Sequence, residues 1–155
     1  RAKELENFSD SLILMRDVGQ KIISNLSVAT IVNTVYKSVN ELMDATGFGI
    51  GLYYKDINSI IYPLYIEGEE RYENIKYDLN DEDRLTALCF KQDIEIIIND
   101  FETEISQFLK KNSTPKAGKQ VESIIYLPLK FKDVLLGVIT VQSFNKNAYN
   151  NFHLN

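Results

Sequence analysis

The chain has 155 residues and a mass of 17.8 kDa, enough for one domain with a sizeable core. Apolar residues make up 45% and charged residues 25%, a globular rather than a disordered balance, and 17 basic against 22 acidic residues leave a net charge of −5, which argues against a nucleic-acid partner. A single cysteine excludes a disulfide framework, a Cys-rich zinc site and a two-cysteine redox centre, and no apolar run has membrane-spanning length.

In chain order, the first pattern is a stripe. Leu5, Phe8, Leu12, Met15, Gly19, Ile22 and Leu26 recur in steps of three and four, the spacing of a coiled-coil seam. They predict an N-terminal helix over residues 1–26 that dimerises; an amphipathic helix packed on its own domain is the other reading. Ser27 offers an N-cap, and Val28, Ile31, Val32, Val35, Val39, Leu42 and Met43 predict a second helix, ending near Gly47.

The period then changes to two. Phe48, Ile50, Leu52 and Tyr54 alternate with Gly49, Gly51 and Tyr53, a strand with one bulky and one nearly bare face. Lys55 to Ser59 reads as a hairpin turn and Ile60 to Glu67 as the returning strand, with Pro63 at an edge or a bulge. Glu67 to Asp83, with eight carboxylates against Arg71 and Lys76, reads as a solvated connection. A helix over Arg84 to Lys91 follows, then a strand-like run at Ile94 to Ile98. Asp100 caps a helix over Thr103 to Lys110, and residues 112–120 read as a loop. Val121 to Leu129 and Val134 to Phe144 are two more strands. Hairpins at both ends imply an antiparallel sheet with helices laid on it, an α+β architecture.

Catalytic constellations fail by count. The one histidine is His153, which leaves no Ser-His-Asp or Cys-His pair to assemble. Cys89 sits among Leu85, Leu88 and Phe90 and reads as core. The six lysines between Lys110 and Lys132 lack interleaved Arg and aromatic residues, so they read as a solvated rim. The chain is therefore not expected to be an enzyme. A pocket remains open: Gly49 and Gly51 leave space for a packed element or a ligand, and Thr140 and Gln142 share a strand face with Val138.

Residues 123–144, SIIYLPLKFKDVLLGVITVQSF, resemble the C-terminal half of a GAF domain through Ser123, Pro128-Leu129, the turn at Lys132-Asp133 and Gly137. Leu26-Ser27 before a helix, the ATGFGIGLYY strand and the run closing on Asn99-Asp100 follow in the same order. The resemblance covers about residues 20–155. It implies a GAF-like α+β fold: five to six antiparallel strands, N-terminal helices on one face and connecting helices over a pocket on the other. A C-terminal helix would start about Tyr149.

What the resemblance implies about function is a cytoplasmic sensory domain, at residues 27–155, of a larger bacterial signalling protein. It would bind an unidentified small molecule and pass the change through a homodimeric N-terminal helix to an output domain, with no nucleic acid and no membrane insertion. A ligand-free structural relay is the alternative. The candidate ligand-binding residues are Gly49, Gly51, Tyr53, Tyr65, Cys89, Tyr126, Thr140 and Gln142. No cofactor is assigned. Cys89 lacks the neighbouring His of bilin-binding members. One cysteine is too few for members that reduce methionine sulfoxide. Asn145-Lys146, Tyr149 and His153-Leu154 depart from the cyclic-nucleotide signature. The chain, beginning at Arg1 and ending on a polar run, reads as a fragment of a longer protein.

Overall fold

The computed structural model describes residues 21–111 and 114–150, with residues 21–25 described by their backbone alone. Leu5, Phe8, Leu12, Met15 and Gly19 of the predicted seam lie outside the described residues, as does His153.

Helix α1 spans Lys21–Leu42 and passes unbroken through Ser27, which corrects the expected boundary between two helices there. A serine inside a helix costs less than ~1 kcal/mol relative to alanine, too little to stop one. Residues 28–39 are rich in β-branched side chains, each up to ~0.7 kcal/mol worse than alanine in a helix. Burial of Val28, Val32 and Val39 against the sheet contributes roughly 1.5–3 kcal/mol apiece, so packing decides the element. The helix stops at Leu42, five residues before the expected Gly47. There the Asn40 side chain donates to the Ala45 carbonyl (3.0 Å) and accepts the Ala45 N–H (3.1 Å), holding the turn into the sheet.

Six strands follow: β1 (Gly47–Tyr54), β2 (Ser59–Glu67), β3 (Glu70–Asp78), β4 (Ile96–Ile98), β5 (Ser123–Phe131) and β6 (Val134–Ser143). They form one antiparallel sheet in the order β3-β2-β1-β6-β5-β4. Strand β3 corrects the expected solvated connection at 67–83. It is an edge strand whose charged side chains stay exposed while Tyr72, Ile75 and Tyr77 are half-buried. Charge on an edge strand blunts unwanted pairing, so a composition that looks like a loop belongs to a strand here.

Helix α2 (Leu85–Gln92) and the short helix α3 (Phe101–Glu104), continued by a 3-10 turn at Ile105–Gln107, cross one face of the sheet. The α3 segment begins two residues earlier than expected and is shorter than the predicted helix. Asp100 occupies its N-cap position without a side-chain capping bond. Residues 146–150 form a turn, and Tyr149 is 3% exposed.

Side-chain alternation divides two cores. Phe48, Ile50, Leu52 and Tyr54 of β1 join Ile139 and Val141 of β6 beneath α1. On the other face Val138 packs with Ile60, Tyr62, Leu85, Cys89, Phe90 and Phe101. Pro63 marks the break in this alternation. Register slips by one residue between the pairs Gly49↔Tyr65 and Leu52↔Ile61, so β2 carries a bulge. Opposite Pro63, between the pairs Tyr62↔Ile75 and Leu64↔Glu73, Asn74 has φ 56°. An extra residue reverses which face later side chains occupy. Tyr62 and Tyr65, three apart, therefore share the face opposite α1.

Candidate functional site

That face carries a cavity of about 90 Å³, partly open to solvent, between the sheet below and α2, the α3 segment and the loop at 114–121 above. Its floor is laid by Tyr62 and Tyr65 of β2, Tyr126 of β5, and Thr140 and Gln142 of β6; Ile75 and Tyr77 of β3 close one side. Phe101, Ile105, Leu109 and Val121 supply apolar wall.

The floor is one hydrogen-bonded sheet of polar groups. Gln142 Nε2 donates to Thr140 Oγ1 at 2.9 Å and to the Tyr126 hydroxyl at 3.4 Å. The Tyr65 hydroxyl lies 3.0 Å from both Gln142 Oε1 and Glu67 Oε1, and Tyr62 shares a 2.9 Å bond with Thr86. Thr140 Oγ1 donates to the Ile125 carbonyl at 3.0 Å. Burial pushes the phenols of Tyr62, Tyr65, Tyr77 and Tyr126 upward; the Glu67 charge adds to this at Tyr65, while Arg84 opposes it at Tyr77. All four are neutral hydroxyls at physiological pH, suited to orienting a ligand rather than to taking a proton from it.

Charge enters from the roof. Arg84, at the N-cap position of α2, donates from Nη1 to the Thr114 carbonyl at 2.6 Å, and its Nε lies 3.6 Å from Asp81 Oδ2. Lys116 Nζ and Arg84 Cζ sit 5.3 and 5.9 Å from the Tyr77 ring centre, within cation–π range. Glu67, 6% exposed, accepts the Lys119 N–H at 2.8 Å. Gly118 has φ 71°, and a Cβ there would strike the Glu67 carboxylate. Glu67 and Arg84 thus tie the two ends of the 114–119 strap over the cavity.

Of the eight candidate residues, the structure brings Tyr65, Tyr126, Thr140 and Gln142 together on the floor. Gly49 and Gly51 do not line the cavity, because their bare face is already filled: a Cβ on Gly49 would stand 3.0 Å from Tyr65 Cδ1, and one on Gly51 would stand 2.6 Å from Ile60 Cγ2. Tyr53 stacks at 4.6 Å on Phe90, and Cys89 is fully buried in the same core. Burial, with the Asp93 and Glu95 charges, pushes the Cys89 thiol up to about 12. Sequence reasoning missed Tyr62, Tyr77, Arg84 and Lys119. Alternation of Ile75 and Tyr77 inside the acidic stretch was the readable signal for β3; no local pattern marked the two cations. Among the described residues no group of three or more His, Cys, Asp or Glu is placed to hold a metal ion, and no helix is long and apolar enough to cross a membrane.

These features define an α+β module whose antiparallel sheet separates a long helix from a hydroxyl-floored cavity. The chain belongs to the GAF domain family: the family model described as GAF domain matches residues 25–155. Solved structures agree in fold. A methyl-accepting chemotaxis protein fragment (its residues 122 to 287) is similar at TM-score 0.61 and 13% identity, covering 88% of this chain and 85% of that one. The GAF domain of an Acinetobacter phosphoenolpyruvate-protein phosphotransferase is similar at TM-score 0.58 and 16% identity, covering 88% and 78%. A type II free methionine-R-sulfoxide reductase from Thermoplasma acidophilum is similar at TM-score 0.58 and 15% identity, covering 80% and 79%. No curated protein matches the chain. GAF domains are mostly regulatory sensory domains, and the family occurs in signalling proteins such as the first two of these.

Proposed function

We propose that the chain is a sensory domain of a larger bacterial signalling protein, working in the cytoplasm as a homodimer. A small molecule binds in the cavity at residues within 27–155, and the change passes to the N-terminal helix over 1–26 and on to an output domain. The observation that carries this reading is the cavity with its ordered polar floor, on the opposite side of the sheet from α1. The central strands link the two sides directly: Thr140 and Gln142 face the cavity, while Ile139 and Val141 between and beside them pack under α1. A ligand that binds one packing of α1 better than another shifts that equilibrium. Leu26, the last residue of the predicted dimer seam, is 64% exposed in the single chain, which supports a partner on that stripe. We also infer a non-enzymatic role. Cys89 is buried with its thiol held protonated, and a buried thiol lacks the thiolate that catalysis needs.

Native mass spectrometry of the purified chain over a concentration series tests both halves. A dimer carrying a discrete added mass is the expected result. A bare chain whose melting temperature does not respond to any small-molecule fraction would favour the ligand-free relay, since selective binding to the native state must stabilise it. A monomer at every concentration would overturn the dimer.

A further inference from the structure

We propose that the cavity takes a small organic acid, its carboxylate held by Arg84 and Lys119 and its short apolar remainder lying against Ile75, Phe101 and Ile105. This rests on the cavity being a ligand site at all. The chain is acidic overall, at −5, yet the cavity wall carries two cations, Arg84 and Lys119, beside Asp83, while the neighbouring Glu67 carboxylate is bonded to the Tyr65 hydroxyl and the Lys119 N–H. Lys116 adds a third positive charge over Tyr77. Asp81 offsets part of the Arg84 charge, but Lys119 has no ion pair among the described residues.

Arg84 provides the sharper argument. Its Nε is buried and has no hydrogen-bond partner among the described residues; the Asp81 oxygen at 3.6 Å is beyond hydrogen-bonding distance. A buried donor left unpaired is destabilising, and the planar guanidinium fork matches the two oxygens of a carboxylate. The floor beneath supplies neutral hydroxyls, and the one carboxylate beside it, Glu67, is already engaged by the Tyr65 hydroxyl and the Lys119 N–H. Size is compatible with that ligand class: about 90 Å³ holds several waters or a compact acid.

The test is titration of the isotopically labelled chain, followed by NMR at constant ionic strength, with pyruvate, lactate and propionate against the neutral amides lactamide and propionamide. The acids are expected to shift the amides around Arg84, Lys119 and Thr140 saturably, and the neutral amides to bind more weakly. Arg84→Gln and Lys119→Gln should each weaken acid binding about tenfold or more, the scale of a lost charge-assisted bond. Lys37→Gln, on the exposed face of α1, should leave it unchanged. Lys119→Gln keeps the backbone tie to Glu67, so loss of binding there is not loss of the strap. If neutral amides bind as well as acids and Arg84→Gln is silent, the acid proposal falls while the ligand site stands. If neither class moves the cavity amides at tens of millimolar, both fall.

Discussion

The Tyr149 hydroxyl donates to the Asp44 carbonyl oxygen at 2.7 Å, joining residues 105 positions apart. Around this bond the end of α1 meets the exit of β6. Asp44 Oδ2 accepts from Ser143 Oγ and from Asn145 Nδ2, and the Tyr149 N–H donates to Asn99 Oδ1 at 2.8 Å. Asn99 precedes the α3 segment that walls the cavity. One tyrosine therefore touches both the helix end and the root of the cavity wall.

Tyr149→Phe removes the hydroxyl and leaves the ring in place. The expected loss is about 1 kcal/mol of stability, read as a lower urea midpoint with unchanged slope. An unchanged midpoint would mean that the bond contributes nothing in solution.

Acid sensitivity should trace to Asp44. Burial pushes its carboxyl up, but hydrogen bonds from Ser143, Asn145 and Thr46 together outweigh burial and hold it below the usual carboxylate range. A depressed folded-state value means stability that is complete above the unfolded value of about 3.9 and is lost as pH falls through the folded one. Asp44→Asn should thus lower stability at neutral pH and flatten its decline in that acidic window. Parallel urea-midpoint profiles for the two proteins would assign the acid sensitivity elsewhere.

Two glycines should respond differently to alanine. At Gly137 an added Cβ would meet the Gly51 carbonyl oxygen, backbone of the neighbouring strand. At Gly51 it would meet Ile60 Cγ2 and the Tyr62 ring, side chains that can shift. Overpacking a core costs about 1–3 kcal/mol, and Gly137→Ala should lie at or above the upper end while Gly51→Ala lies within the range. Chemical denaturation ranks them; the reverse order would show that β1 and β6 part more easily than the tyrosine floor yields.

Cys89 should be chemically silent. With no exposure and the thiol pushed up to about 12, almost no thiolate exists at neutral pH. Reaction with an aromatic disulfide reagent should be far slower in the native chain than in urea, and equal rates would mean that α2 opens freely.

Periodicity carried most of the architecture because it reports what each element buries. Val28, Val32 and Val39 on one helical face, and Phe48, Ile50 and Leu52 on one strand face, were readable as core without knowing their partners. Residues 70–78 carried only the weak alternation of Ile75 and Tyr77, since an edge strand needs little apolar surface and its charges mimic a loop. Ser27 misled for a related reason: capping chemistry marks where a helix can begin, not where packing lets it continue.

Local pattern thus determined the α+β class, the antiparallel sheet and the cavity-facing positions Tyr126, Thr140 and Gln142, because strand alternation assigns a face to each side chain. Tertiary structure alone decided the rest. The Pro63 bulge turned Tyr62 and Tyr65 to the same side, filled the space above Gly49 and Gly51 with their rings, and left the cavity farther out. Arg84 and Lys119, 35 positions apart, both line that cavity, where bonds from Lys119 to Glu67 and from Arg84 to Thr114 fasten the strap between them. Such meetings depend on long-range contacts, which no local spacing encodes.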